Sequence, residues 1–219
     1  MNRWTFVAIV VAAGLSGAGG YWFLGREAPS AVPAVNSPST GALPQAAPPR
    51  LAETVPDFKL TDREGALRSL KDWHGKSLIV NFWATWCAPC RREIPLLQRI
   101  ARERAADGFE VVGIAVDFRD KVLAYADEMK IEYPLLIGEQ DALDAAAAFG
   151  VEAIGFPFTI FTDKQGHIVA AHMGELHAEE AELILDQVAA VNAGEQSPAE
   201  ARQLIEAATR RQSAVKNQG

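Results

Sequence analysis

The run SLIVNFWA, Ser77 to Ala84, leads into a pair of cysteines, Cys87 and Cys90. After them come apolar residues at helical spacing, Ile94, Leu97, Ile100 and Ala101, and then a second apolar run, FEVVGIAVD, Phe109 to Asp117. Short, nearly continuous runs rich in Val and Ile are what strands covered on both faces require. A helix over Pro89 to Ala106 between two such strands makes one strand-helix-strand unit. The thiol pair is thereby delivered to the first turn of the helix, where unpaired backbone N–H groups and the dipole favour negative charge.

That placement predicts chemistry. Cys87, at the helix start, has a depressed pKa and is the attacking thiolate; Cys90, one turn further in and more shielded, resolves the mixed disulfide. Pro89 between them supplies no N–H and stiffens the turn. The chain has no other cysteine, so a disulfide-stapled scaffold is excluded, and a structural zinc site would need four ligands where this pair supplies two. A metal-delivery reading stays open as the rival: Cys87 and Cys90 holding Cu(I) or Zn with His172 or Met173.

Net charge is -7, with no basic patch interleaved with aromatics, which argues against nucleic acid. From Trp4 to Leu24 there is no charged residue, about the length a helix needs to cross a bilayer. Arg3 precedes this run, and Arg26 is offset by Glu27, so the bias exports everything downstream. An uncleaved anchor is the expectation, residues 1–26, and a signal peptide cut near Ser16 to Ala18 is the alternative. Residues 27–50, rich in Pro, Ala and Ser, form a linker unable to bury a core.

Further along, DFKLT and ALRSL flank the polar DREG, a hairpin over Asp57 to Leu70 at the domain's edge. A second helix spans about Lys121 to Lys130, YPLLI is a strand, and the Ala-rich DALDAAAAFG is a helix closed by Gly150. FTIFT, DKQG and HIVAAHM read as an antiparallel hairpin. Ser197, Pro198 and Glu200 open a last helix with a capping box. Its apolar stripe, Leu204, Ile205, Ala208 and Val215, is weak, which predicts a peripheral appendage.

The stretch NFWATWCAPCRREIP, Asn81 to Pro95, resembles the active-site signature of the thioredoxin superfamily, and specifically the membrane-anchored TlpA/ResA/CcmG-like thiol-disulfide oxidoreductases, whose pattern continues with Glu and Pro as Glu93 and Pro95 do here. The resemblance extends over roughly Val55 to Val191. It implies an α/β, thioredoxin-like three-layer fold with an N-terminal β-hairpin and an inserted strand-helix segment, besides the N-terminal transmembrane helix. The implied domains are residues 51–193, thioredoxin-like, and 194–219, a C-terminal helical extension.

The resemblance also implies a membrane-anchored, extracytoplasmic protein-disulfide reductase, recharged by a membrane electron donor and acting on client disulfides, for example in cytochrome c maturation or copper-centre assembly. An oxidase or isomerase would use the same cysteines. No cofactor and no resident metal are implied. By the match of GFPFTIFTDKQGHIV, Pro157 is the superfamily's cis-proline, offering backbone to an extended client, with Trp86 and Phe156 as substrate-contacting neighbours. Asn81 stands where classical thioredoxins have a buried Asp, so Cys90 needs another proton acceptor. Glu93 is the nearest candidate by sequence. Asp120 is a second candidate relay, with helix N-capping as its plainer role. A peroxiredoxin's cysteine follows a Pro and a Thr at fixed offsets; Ala84 and Val80 occupy them here.

Overall fold

The computed structural model describes residues 51–151 and 155–216, with side chains described as far as residue 211. The expected anchor and linker, and the Val215 side chain, lie outside the described residues. Among the described residues no helix is long and apolar enough to cross a membrane.

The expected hairpin is made by β1 (Leu60–Asp62) and β2 (Leu67–Arg68). Its turn holds Gly65 at φ +85, and Asp62 Oδ1 accepts from the N–H groups of Glu64 and Ala66. This side-chain mimicry of a backbone turn is what Asp supplies at such a position. A 3-10 turn, Leu70–Trp73, leads to β3 (Ser77–Trp83). Helix α1 (Ala88–Glu103) follows, then β4 (Phe109–Val116), which lies parallel to β3 with Ser77 opposite Phe109 and Trp83 opposite Ala115.

Next come α2 (Arg119–Glu128), β5 (Leu135–Gly138) parallel to β4, and α3 (Gln140–Ala148). Strand β6 (Phe158–Thr162) runs antiparallel to β3, and β7 (Ile168–Met173) antiparallel to β6. Helices α4 (Ala178–Asn192) and α5 (Pro198–Lys216) follow. Among the described residues, the seven strands belong to one mixed sheet, ordered β2-β1-β5-β4-β3-β6-β7.

Strand β3 is buried along its whole length, and its alternation divides the core. Leu78, Val80 and Phe82 join the cluster that holds Ala142, Ala145 and Ala146 of α3. Ile79 and Trp83 join the opposite cluster, which holds Ile94, Leu97 and Ile100 of α1, Val122 of α2 and Ile184 of α4. The sheet is therefore the middle of three layers. Helix α4, whose Ala181, Ile184, Leu185 and Val188 face this core, was not among the expected elements.

The last helix is not the peripheral appendage its weak stripe implied. Its capping box is formed, with Glu200 N–H donating to Ser197 Oγ and Ser197 N–H to Glu200 Oε2. Ala201 and Ile205 are buried in the same cluster as α1 and α4, and Arg202 Nη2 donates to Ile168 O at 2.6 Å. Few residues suffice, because a small apolar contact at a sheet border also excludes water from its neighbours. Deleting residues 197–219 is expected to cost about 3 kcal/mol, lowering the melting temperature by roughly 5–10 °C. Scanning calorimetry of the two proteins checks this; an unchanged transition would return the helix to the status of an appendage.

Candidate active site

Cys87 and Cys90 are disulfide-bonded, with 5.3 Å between their Cα atoms. Cys87 is the N-cap of α1, and its Sγ accepts from Cys90 N–H at 3.3 Å. An acceptor on the first free N–H groups of a helix is where a sulfur gains most as a thiolate. Cys90 is completely buried and Cys87 is 5% exposed, so attack from outside falls on Cys87. The two arginines that follow point elsewhere. Arg91 Nε donates to Tyr125 Oη at 3.1 Å, with its guanidinium over the Tyr125 ring, and Arg92 forms a two-pronged pair with Glu175, 2.8 and 3.0 Å from Nε.

Glu93 lies one turn beyond Cys90 on the same buried stripe as Ile94 and Leu97, and is 1% exposed. Its Oε1 accepts from Asn81 Nδ2 at 2.7 Å, and its Oε2 from Leu176 N–H at 2.8 Å. Asn81 Nδ2 also donates to Thr159 Oγ1. Burial pushes the Glu93 carboxyl up to about 7; the hydrogen bonds from Leu176 and Asn81 oppose the rise, and the charge of Glu175 adds to it. Asn81 Oδ1 is buried without a hydrogen-bond partner. An amide serves both states of this acid: Nδ2 donates to the carboxylate, and a half-turn of the side chain presents Oδ1 to the carboxylic acid.

The peptide bond between Phe156 and Pro157 is cis. Pro157 is buried, and its carbonyl accepts from Gly174 N–H at 2.9 Å. Trp86 is 69% exposed and meets the Phe156 ring edge-on, centroids 6.1 Å apart. Phe156 continues the aromatic series inward to Phe158, which stacks on Phe82 at 4.4 Å. The aromatic pair beside the thiols is thus anchored in the core at one end and open at the other.

Asp120 is not brought to this site. It is exposed in the first turn of α2, and the N-cap of that helix is Phe118. The buried acid at the end of β4 is Asp117, which sequence reasoning missed. It accepts hydrogen bonds from Thr85 Oγ1 and Phe118 N–H, tying the end of β4 to the turn that carries Cys87. Its signal was available: Asp117 follows a parallel strand at the carboxyl edge of the sheet, as the thiol turn does, and that edge is where α/β sheets place their sites. His172 Nε2 donates to Glu175 O, Met173 is half exposed, and among the described residues no three His, Cys, Asp or Glu side chains are grouped to hold a metal.

Residues 51–171 match the model of the AhpC/TSA family. Among curated proteins, the thioredoxin-like protein YneN of Bacillus subtilis is 36% identical over 138 residues, 61% of this chain and 78% of that protein. The thiol-disulfide oxidoreductase ResA of Geobacillus thermodenitrificans is 31% identical over 139 residues, 63% and 78% of the two chains. Among solved structures, a thiol:disulfide interchange protein of the thioredoxin family from Chlorobium tepidum superposes with a TM-score of 0.56 at 29% identity, covering 64% of this chain and 97% of that one.

Proposed function

Because the chain belongs to the AhpC/TSA family and carries its thiol pair on a thioredoxin-like domain, we propose that it is a thiol-disulfide oxidoreductase working as a reductase of client protein disulfides. The observation that carries the reading is the shielded Cys87–Cys90 pair at the start of α1 with a buried carboxyl one turn behind it. In the reduced protein, the Cys87 thiolate attacks a client disulfide, forming a Cys87–client disulfide and releasing one client thiolate. Glu93 takes the Cys90 proton. The Cys90 thiolate then attacks Cys87 Sγ, closing the internal disulfide and releasing the second client sulfur as a thiolate, which can take back the proton held by Glu93, so two electrons pass from the pair to the client.

Trp86 and Phe156 receive the apolar flanks of the client segment. Pro157 has no N–H and its carbonyl is engaged by Gly174, so extended client backbone is met by the neighbouring Phe156 rather than by the proline itself. The uncharged run Trp4 to Leu24 supports an inner-membrane anchor with the domain on the extracytoplasmic side, where a membrane donor would return the electrons. Clients of the kinds the resemblance implies, apocytochrome c or copper-assembly proteins, present a disulfide in such a segment.

Reductase and oxidase differ in poise. A strong oxidant needs a heavily stabilised thiolate, and here the helix terminus acts on Cys87 without Arg91 or Arg92, both of which are held by Tyr125 and Glu175. The full chain in detergent, equilibrated with glutathione mixtures and followed by tryptophan fluorescence, is expected to titrate on the reducing side of about -180 mV. A midpoint near -120 mV would make the protein an oxidant instead.

A further inference from the structure

The segment between β7 and α4 is fastened at three successive residues around the thiol site. Gly174 N–H donates to Pro157 O at 2.9 Å, the Glu175 carboxylate is gripped by Arg92, and Leu176 N–H donates to Glu93 Oε2 at 2.8 Å. His172 Nε2 also reaches the Glu175 carbonyl, at 3.2 Å. Arg92 and Glu93 are consecutive on α1, one turned outward and the other inward, so a single turn of helix grips this segment from both sides.

We propose that Arg92 and Glu175 are a positioning pair for Glu93: an ion pair at the surface that holds the Leu176 N–H on the buried carboxyl and offsets part of the Glu175 charge that Glu93 faces. The inference rests on the reading of Glu93 as the proton acceptor for Cys90. Arg92 holds Glu175 well below the usual carboxylate range, so the pair is charged on both sides wherever Glu93 titrates. The other groups that act on Glu93 are Asn81 on β3, which also donates to Thr159 of β6, and Tyr133 ahead of β5, whose phenol is pushed up by burial and by the Glu93 charge; His177 acts on Glu175. Arg92 and Glu175 are the two charged members that face solvent, with side chains 60% and 20% exposed, so they can be changed without opening the core.

Electrostatic positioning and mere mechanical support predict different signs. In Arg92→Gln the uncompensated Glu175 charge raises the pH at which Glu93 ionises; in Glu175→Gln the freed Arg92 charge lowers it. Carbon-13 NMR of the Glu93 carboxyl in the reduced full chain is expected to show midpoints displaced by about half a pH unit in opposite directions. The double variant should fall close to wild type, Arg92→Lys should retain the wild-type midpoint, and about 1 M salt should shrink the differences.

Displacement of both single variants in the same direction, or of neither, would overturn the proposal. Insulin-disulfide reduction measured on the same samples keeps the two readings apart. Opposite displacements of the two variants, with a wild-type protein that reduces no disulfide, would sink the reductase reading and leave the positioning pair standing. Active protein with unmoved midpoints would do the reverse.

Discussion

Replacing Cys90 with alanine will give a protein that attacks a client disulfide once and stays joined to it. Cys87 keeps its place at the N-terminus of α1, so the first step survives. Release depends on a second sulfur held within the same turn, whose bound geometry gives it a large effective concentration. An external thiol at millimolar concentration replaces that poorly, and turnover should fall by about 10³-fold or more. Mixed disulfides should accumulate on non-reducing gels, vanish on reduction, and be absent when Cys87 is also replaced. Wild-type turnover in the Cys90→Ala protein would mean that Cys90 does not resolve the intermediate.

Glu93→Gln should separate stability from activity at pH 8. Burial lifts the Glu93 carboxyl from 4.5 to about 7 in the folded chain. Below pH 4.5 the acid is protonated in both folded and unfolded chains and contributes no difference. Between 4.5 and 7 the unfolded chain releases the proton first, so folding stability falls as pH rises. Above 7 the cost is complete, about 3 kcal/mol at roughly 1.4 kcal/mol per pH unit.

Glutamine never ionises, and with the Asn81 amide turned it can donate to Asn81 Oδ1 while accepting from Leu176 N–H. The variant should therefore be about 3 kcal/mol more stable in urea at pH 8, and indistinguishable at pH 4. It also removes the proton acceptor for Cys90, so disulfide reduction should slow by about 10²-fold. Equal stability gaps at both pH values, or a destabilised variant at pH 8, would show that Glu93 does not carry a buried charge.

Periodicity made the α/β alternation legible. The runs at β3 and β4 and the stripe of α1 were visible because burial on two faces or on one leaves a regular mark. The same mark is present for α4, in Ala181, Ile184, Leu185 and Val188. The thiol pair was legible because its spacing is local, and Glu93 because it follows Cys90 by three residues in the matched signature. Asp117 and Asp120 show the limit. Two residues separate them, and which one enters the site depends on β4 ending at Val116 and α2 starting at Arg119, boundaries that patterns place only loosely. The hydrogen bond from Leu176 to Glu93 and the pair of Arg92 with Glu175 each span 83 residues, and no local pattern encodes a meeting across such a distance.

The outermost strand of a sheet is a ready template for another chain, because its outward backbone groups seek partners. One border of this sheet, β2, is only two residues long. At the other, Arg202 reaches from α5 to the carbonyl of Ile168, and Glu53 O receives the Ile168 N–H. One border is too short, and the other is occupied at its first residue, which limits the foothold on which fibrils grow. For the proposed work on extended client segments, such borders would keep a client at the thiols rather than along the sheet.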